Sequence, residues 1–333
     1  MANVSASPYQ LIEDCEATHK TLYKFYAAVM IVIFILALPL NASVLHLFIF
    51  KLKFWNSNTN VFLFNLTLAD VLVLFCLPVQ AHSFIEGERR SSNDAICKAM
   101  LFMLFLHRGA SIAFLTVISI DRYFNVVHLG QKRLLRVLKN SPQVSILIWL
   151  LLLPLTIPTM LKNFACCNSD KDTKDDALVK DVVDSLREAV IFTQIVIPFV
   201  ILVYCTVHIV NRLRKKTVGD KTKLRRAVFA VTSCMVVFSL CFLPCTIARM
   251  VLLIVRAQLP DKELPQDRAS VTFDGLMVLS YMDCLLDPLV YCFCSTTFKE
   301  HYFSSYFPFL LKGAKQLERS SIETVQPTRN TVD

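Results

Sequence analysis

The sequence predicts an all-α membrane protein whose chain crosses the bilayer seven times. Of its 333 residues, 55% are hydrophobic and only 18% are charged, whereas a soluble domain has about 45–50% apolar and about 25% charged residues. The mean hydropathy is +0.52. Seven stretches are also long enough to cross the hydrocarbon core, which takes about 20 apolar residues. These observations exclude a soluble domain and a disordered chain.

The apolar stretches divide the chain into four parts. The predicted spans are Tyr23–Phe50, Asn60–Phe84, Cys97–Val126, Val144–Met160, Ala189–Val210, Ala227–Val255 and Ser270–Phe293. We therefore expect an N-terminal segment (1–22), a bundle (23–293), a short amphipathic helix on the membrane surface (294–309) and a tail (310–333). The first 22 residues lack the features of a cleaved signal peptide, so Tyr23 begins a retained span. The loops are too short for a second domain.

The distribution of Lys and Arg predicts the orientation of the bundle. The connections after spans one, three and five contain 14 Lys or Arg residues and a single acid, Asp220. Cytoplasmic loops carry such an excess. The N-terminus is therefore predicted outside the cell and the C-terminus inside. The net charge of +9 then reflects a cytoplasmic face next to anionic lipid and a partner protein, and nucleic-acid binding is not needed to explain it.

Several function classes lack their sequence signatures. The chain has only six Gly residues and no glycine-rich phosphate or dinucleotide motif. No Ser/His/Asp set, zinc-protease motif or pair of catalytic carboxylates converges in the spans, so an enzyme is not expected and no resident cofactor is predicted. A retinal protein would need a Schiff-base Lys in span seven, and Ser270–Phe293 contains none. A transporter remains a minor alternative.

Each span carries a polar or proline residue at a characteristic place. In chain order these are Asn41, Leu68-Ala69-Asp70, Cys97 with Asp121-Arg122-Tyr123, Trp149, Pro198, Cys241-Phe242-Leu243-Pro244 and Asp287-Pro288-Leu289-Val290-Tyr291. Over residues 20 to 306 this set resembles rhodopsin-like (class A) G-protein-coupled receptors. The chain departs from that pattern at Leu40, where Gly is usual, at Phe242, where Trp is usual, and at Thr206, where many members have Tyr.

A finer resemblance lies in the third and sixth spans. The segments are Met100 to Arg108, Phe114 to Val117, Asp121 to His128, and Ala248-Arg249 after Pro244. They are similar to the hydroxycarboxylic acid receptors and the oxoeicosanoid receptors. Amine receptors carry an Asp where this chain has Leu104, so a cationic amine would lack its counter-ion. The resemblance implies a small carboxylate or fatty-acid ligand, and the residues do not choose between a short hydroxy acid and a long oxidised fatty acid.

Arg108 is the predicted anchor for that carboxylate. It lies eleven residues into the third span, roughly 16 Å below the outer end at about 1.5 Å per residue. A charge at this depth is costly and must find an anion. The planar guanidinium matches a carboxylate with two parallel hydrogen bonds. The alternative is an internal ion pair, for example with Asp283.

The family resemblance implies further ligand contacts. Arg249 would hold or admit the acid, or would instead extend to the lipid headgroups. Tyr281 would offer a phenol to the carboxylate, or would be an ordinary core residue. The predicted cavity wall consists of Gln80, Met103, Leu104 and Phe273. His107 points to another face than Arg108, at about 100° per residue, and is interpreted as a helix-packing contact.

Three buried carboxylates predict a cation or a proton near the bundle centre. Asp70 and Ser111 match the family's sodium-binding positions, and Asp283 and Asp287 are four residues apart on one face of span seven. Three ionised acids in a nearly dry core would repel one another. We therefore expect an allosteric sodium ion among them, together with protonation of at least one acid.

The resemblance also implies extracellular modifications. Cys97 should pair with Cys166 or Cys167, a tie expected in an extracellular setting. The other of these two cysteines would join Cys15, unless Cys15 is a free thiol. Asn3 begins an Asn-Val-Ser glycosylation site.

The expected mechanism is a population shift in which the ligand favours the active bundle. Arg122, otherwise paired with Asp121, would then meet the G protein. Further switch residues are Phe242, Pro244 and Tyr291. The resemblance implies a G protein of the inhibitory class, a plasma-membrane location, and binding of a receptor kinase and arrestin at the tail. Another anionic lipid or a nucleotide-like ligand is the alternative to the carboxylate.

Overall fold

The computed structural model confirms the all-helical class. It describes residues 17–53, 55, 57–127, 140–161, 177–215, 221–259 and 262–308, and within those ranges there is no β-strand. The helices, in chain order, are Lys20–His46, Asn58–Leu74, Leu77–Glu86, Asp94–Val126, Ser141–Leu161, Ala177–Lys215, Lys221–Val237, Leu243–Gln258, Glu263–Ser280, Asp283–Cys294 and Thr296–Tyr306. Two π-helical turns, Leu47–Leu52 and Phe238–Phe242, extend the first span and join the two halves of the sixth.

Six of the predicted spans are helical segments long and apolar enough to cross a membrane. The fourth span is the helix Ser141–Leu161, which has 21 residues. Large apolar side chains on the outside of the bundle are exposed, among them Leu150, Val200 and Ile254. Water would disfavour these side chains, and lipid would not. The exposed apolar surface therefore agrees with membrane insertion.

The helix of the fifth span, Ala177–Lys215, differs most from its predicted bounds. It begins at Ala177, twelve residues before the predicted start at Ala189. Hydropathy marks only the part of a helix that lies in hydrocarbon, whereas polar residues can continue the same helix beyond it. The extension brings Glu188 into the helix, with a consequence for the ligand cavity described below.

Three spans are interrupted near the middle of the bundle. The second breaks between Leu74 and Leu77, just before Pro78. The sixth contains the π-helical turn that ends at Phe242, just before Pro244. The seventh breaks at Tyr281, between helices ending at Ser280 and starting at Asp283. Such breaks free backbone carbonyls from the helical ladder, which makes them available to side chains.

Polar side chains join the spans within the apolar core. The Asn41 amide donates to the Cys284 carbonyl at 2.8 Å, linking spans one and seven. The Trp149 indole donates to Asn65 Oδ1 at 2.9 Å, linking spans four and two. Buried polar groups need such partners, so these bonds position the helices that surround the cavity.

The last helix, Thr296–Tyr306, packs against the inner end of the first span. The ring of the fully buried Phe298 lies 5.2 Å from that of Phe48, and the Tyr302 hydroxyl is 3.0 Å from Ser43 Oγ. The sequence predicts a helix here within 294–309. Its position on the membrane surface remains a prediction.

Candidate functional site

A cavity of about 260 Å³ opens between spans three, four, five, six and seven. Its apolar lining includes Leu101, Leu104, Phe105, Ile112, Leu155, Ile191, Ile195, Phe242, Phe273 and Met277. Its charged lining comprises Arg90, Arg108 and Arg249, and none of the described lining residues is an acid. The cavity therefore combines an apolar wall with positive charge.

Arg108 lies against the interrupted sixth span. Its Nη2 donates to the Phe242 carbonyl at 3.0 Å and to Thr246 Oγ1 at 2.6 Å. Among the described residues, Nη1 contacts only the Cys245 sulfur, at 3.2 Å, and the buried Nε has no hydrogen-bond partner. One nitrogen of the guanidinium, Nη2, is thus held by the protein, while the other two nitrogens have a weak acceptor or none among the described residues.

No carboxylate neutralises Arg108 among the described residues. The predicted alternative partner, Asp283, instead lies 3.6 Å from the His107 ring. A half-buried guanidinium without an anion is costly. Among the described residues Arg108 has no ion-pair partner, so its guanidinium beside the cavity is not neutralised by them.

Arg249 does have an internal anion, which the sequence did not reveal. Its Nε and Nη2 donate to the two carboxylate oxygens of Glu188 at 2.8 and 2.6 Å. The guanidinium carbon also lies 5.9 Å from the ring centres of Phe105 and Phe273. Both charged side chains are mostly buried, with 17% and 15% exposure. The arginine thus lines the cavity but is already neutralised, and it does not extend to the headgroups.

The remaining predicted wall residues divide into two groups. Leu104, Phe273 and Tyr281 line the cavity, and the buried Tyr281 hydroxyl has no hydrogen-bond partner within the described part of the chain. Gln80 and Met103, however, do not line it. Gln80 is buried and donates to the Arg89 carbonyl at 3.1 Å. Met103 lies on another face of its helix than Leu104, since adjacent residues are about 100° apart.

A buried ion pair holds the segment that leads to Arg90. Arg89 donates to Asp274 Oδ2 from Nε at 2.9 Å and from Nη2 at 2.7 Å. The Tyr23 hydroxyl donates to the same oxygen at 2.7 Å. Burial lowers the pKa of the adjacent Arg90 guanidinium, which nevertheless stays charged near neutral pH. The network joins the first span, the loop after the second and the seventh, and it places Arg90 in the cavity wall.

The inner acids are arranged around His107, and this corrects its interpretation as a packing contact. His107 Nε2 lies 3.1 Å from Asp70 Oδ1, 3.6 Å from Asp283 Oδ2 and 3.4 Å from Ser111 Oγ. Asp287 is fully buried and neither of its oxygens has a partner. The predicted sodium residues are therefore close together, but an imidazole lies between two of the carboxylates. Sodium binding itself stays a prediction.

Two of the predicted switch residues, Asp121 and Arg122, form a polar cluster with Thr59 near the end of the third span. Arg122 Nη2 lies 3.8 Å from Asp121 Oδ2 and also donates to Thr59 Oγ1. Thr59 in turn donates to Asp121 Oδ2 at 3.2 Å, and Asn125 donates to its other oxygen at 3.0 Å. Arg122 is therefore paired within the bundle. Farther in, the Thr67 hydroxyl donates to that of Tyr291 at 3.1 Å.

Some predicted modifications fall outside the described residues. These are Asn3, Cys15, Cys166, Cys167 and the tail from 309 onward. Cys97 is disulfide-bonded, but its pairing with Cys166 or Cys167 stays a prediction.

Comparison with known proteins agrees with this geometry. Residues 40–291 match the model of the 7 transmembrane receptor (rhodopsin family). Hydroxycarboxylic acid receptor 2 of Homo sapiens is 30% identical over 272 residues, 81% of this chain and 74% of the relative. The 12-(S)-hydroxy-5,8,10,14-eicosatetraenoic acid receptor of Mus musculus is 29% identical over 296 residues, 87% and 91% of the two chains. Oxoeicosanoid receptor 1 of Homo sapiens is 28% identical over 288 residues, 85% and 73%.

We expect Arg89→Gln to destabilise the protein, because it leaves the Asp274 carboxylate mostly buried without its cation. Breaking a buried pair costs about 3–5 kcal/mol, and the 16% exposure of Arg89 favours the lower end. The apparent melting temperature in detergent should fall by several degrees. Arg90→Gln is the matched control, because no hydrogen bond or ion pair joins Arg90 to a described residue. Equal melting temperatures for the two variants would contradict a stabilising role of the network.

Proposed function

Because this chain belongs to the rhodopsin family of seven-transmembrane receptors, we propose that it is a plasma-membrane receptor for an organic carboxylate. The observation that carries the proposal is Arg108, a guanidinium beside an apolar cavity with no anion from the described protein. The family consists of receptors and not of enzymes, in agreement with the prediction. The N-terminus faces the outside in this proposal, as the Lys and Arg distribution indicates.

The ligand carboxylate accepts hydrogen bonds from Arg108. Among the described residues Nε has no hydrogen-bond partner and Nη1 faces only a thiol sulfur, so each can donate to a carboxylate oxygen. Both two-nitrogen edges of the guanidinium include Nη2, so a carboxylate that binds with two oxygens competes with the Phe242 carbonyl and Thr246 for that nitrogen. Charge-assisted bonds of this kind are about twice as strong as neutral ones. The unpartnered Tyr281 hydroxyl supplies a further donor from the cavity wall. The ligand thus removes an existing electrostatic cost as well as adding contacts.

The apolar lining of the cavity favours a carboxylate that carries an apolar chain. The cavity volume of about 260 Å³ lies below the roughly 300–1,000 Å³ typical of sites for drug-sized ligands, which limits the length of chain that it can enclose. A three- or four-carbon acid would leave most of the Leu, Ile and Phe lining in contact with water, which is unfavourable. An oxidised fatty acid would cover it, as the name of the mouse eicosatetraenoic acid receptor suggests by similarity. A short hydroxycarboxylic acid is the second candidate, by similarity to the human relative at 30% identity.

Signalling follows from the pairing of Arg122. In the described arrangement Asp121 and Thr59 hold this arginine, and a ligand that prefers another arrangement shifts the population away from it. Release of Arg122 presents a cation to a heterotrimeric G protein, which we assign to the inhibitory class by the same family resemblance. The tail carries Ser320, Ser321 and Thr324 as sites for a receptor kinase and then arrestin.

The direct test is a G-protein nucleotide-exchange assay in reconstituted membranes with two series of acids. One series contains short hydroxy acids and the other contains hydroxylated and keto fatty acids of increasing length. We expect potency to rise with chain length until the cavity is filled, and the methyl ester of the best acid to be inactive because it carries no negative charge. An ester as potent as its acid, with esterases inhibited, would exclude the carboxylate anchor.

Arg108→Ala should abolish the response to the best acid while the protein still reaches the cell surface. Removing one partner of a desolvated charge pair costs about 2–5 kcal/mol, so half-maximal activation should need at least about 30 times more ligand. Arg256→Ala, an exposed arginine on the same side of the sixth span as Arg249 but outside the cavity, is the control. An unchanged half-maximal concentration for Arg108→Ala would overturn the proposal.

Glu188→Gln should increase acid potency several-fold. The substitution keeps the shape of Glu188 but removes the charge that neutralises Arg249, so a second free cation then faces the cavity. Arg249→Gln should have the opposite effect, because Glu188 then adds an uncompensated negative charge. The double variant, in which both charges are gone, should return toward the parent. The measurement is agonist dose–response for all four proteins, and a weaker response of Glu188→Gln would show that the ion pair itself is needed.

A further inference from the structure

Three different metal-ligand side chains converge beneath the cavity, one from each of three spans. His107 Nε2, from the third span, lies 3.1 Å from Asp70 Oδ1 of the second and 3.7 Å from Cys284 Sγ of the seventh. Cys284 Sγ is 3.8 Å from Asp70 Oδ1. The three donor atoms thus form a compact triangle in the fully buried centre of the bundle.

The dimensions of this triangle match those of a tetrahedral metal site. Zinc binds His nitrogen at about 2.0–2.1 Å, carboxylate oxygen at about 2.0–2.2 Å and Cys sulfur at about 2.3 Å. At tetrahedral angles, those bond lengths separate pairs of donor atoms by about 3.3–3.6 Å. The observed separations differ from these values by only a few tenths of an ångström, so an ion fits without a change in helix positions.

A fourth donor and unsatisfied charge are also present. Asp283 Oδ2 lies 3.6 Å from His107 Nε2 and, like Asp70 Oδ2, is buried without a hydrogen-bond partner. Asp283 is thus a candidate for the fourth ligand. Unpaired carboxylates in a dry core are costly, and a divalent cation offsets two of them at once.

The donor types discriminate between cations. Carboxylate and water ligands suit hard ions, whereas imidazole and thiolate suit zinc and its neighbours in the first transition row. His107 Nε2 lies 3.1 Å from Asp70 Oδ1 and 3.6 Å from Asp283 Oδ2, so an ion bound by both carboxylates also meets the imidazole nitrogen. His107 also lines the ligand cavity, which provides an entry path for an ion from that side.

We propose that Asp70, His107, Cys284 and Asp283 form a binding site for a divalent transition-metal cation of the zinc class. The ion takes the place of the sodium expected from the sequence and ties together spans two, three and seven. It stabilises the arrangement described here, in which Arg122 is paired with Asp121. Bound metal therefore opposes activation, by the general rule that a ligand favours the state that it binds better. The site does not depend on the identity of the agonist.

The first experiment uses the purified full-length receptor in detergent, without reducing agent and after removal of metals with a chelator. Co²⁺ is the probe, because its visible absorption reports tetrahedral coordination and its near-ultraviolet charge-transfer band reports a thiolate ligand. We expect both bands at one equivalent of Co²⁺, and their loss when Zn²⁺ is added. Absence of the thiolate band would overturn the proposal.

Variants then assign the ligands. Cys284→Ala and His107→Asn should each weaken the stabilisation by Zn²⁺, measured as the increase in melting temperature, so that at least ten times more metal is needed. The Asn side chain in His107→Asn can still donate a hydrogen bond to Asp70, so the variant is expected to fold while it loses the imidazole ligand. Cys292→Ala, which removes a half-buried cysteine of the same helix outside the triangle, should behave as the parent. Equal zinc stabilisation in Cys284→Ala and the parent would overturn the site.

Replacing Na⁺ by choline at constant ionic strength distinguishes the two cations. Stabilisation by Na⁺ but not by Zn²⁺ would show a hard-ion site of oxygen ligands and would overturn the proposal. A failed acid screen would leave the metal titrations valid, so the metal site and the proposed ligand class fail independently.

Discussion

The cost of burying ionised groups in an apolar bundle controls the rest of this structure. Two adjacent residues of the third span, His107 and Arg108, separate the buried charges into two compartments because they project about 100° apart. His107 faces the carboxylates Asp70 and Asp283. Arg108 faces the sixth span, where the described residues offer only neutral acceptors. The cavity therefore stays positive although acids lie one helical face away.

Interruptions of the helices supply hydrogen-bond partners for the buried charges. The π-helical turn of the sixth span ends at Phe242, just before Pro244, whose ring nitrogen cannot donate to the backbone. At this junction the Phe242 carbonyl lies within reach of the third span. The carbonyl accepts from both Arg108 and Thr246. At the break of the seventh span, the buried Tyr281 phenol lies at the cavity wall and has no hydrogen-bond partner among the described residues. The functional polar groups thus cluster where the regular hydrogen-bond pattern fails.

The sequence allowed the spans, their order and the central Arg108 to be predicted, because hydropathy and the cost of a buried charge are local properties. The pairing of Glu188 with Arg249 could not be predicted in this way, because hydropathy starts the fifth span at Ala189 and therefore assigns Glu188 to the preceding loop. Only the helical continuation to Ala177 brings it opposite Arg249. Likewise, the role of His107 depends on which neighbouring helices its ring reaches. Helical periodicity gives the direction of a side chain, but not the partners that meet it.

The contacts of Arg108 also connect the proposed ligand site to the sixth span. The same guanidinium that would bind a carboxylate holds the Phe242 carbonyl and the Thr246 hydroxyl. The Phe242 ring in turn packs edge-on to Phe238 at 5.9 Å, and Phe238 stacks on Phe199 of the fifth span at 5.8 Å. A carboxylate that draws Arg108 toward the cavity weakens the bonds between spans three and six. The Thr246 hydroxyl still donates to the Phe242 carbonyl at 2.8 Å. The sixth span therefore keeps this internal hydrogen bond while its bonds to Arg108 of the third span weaken.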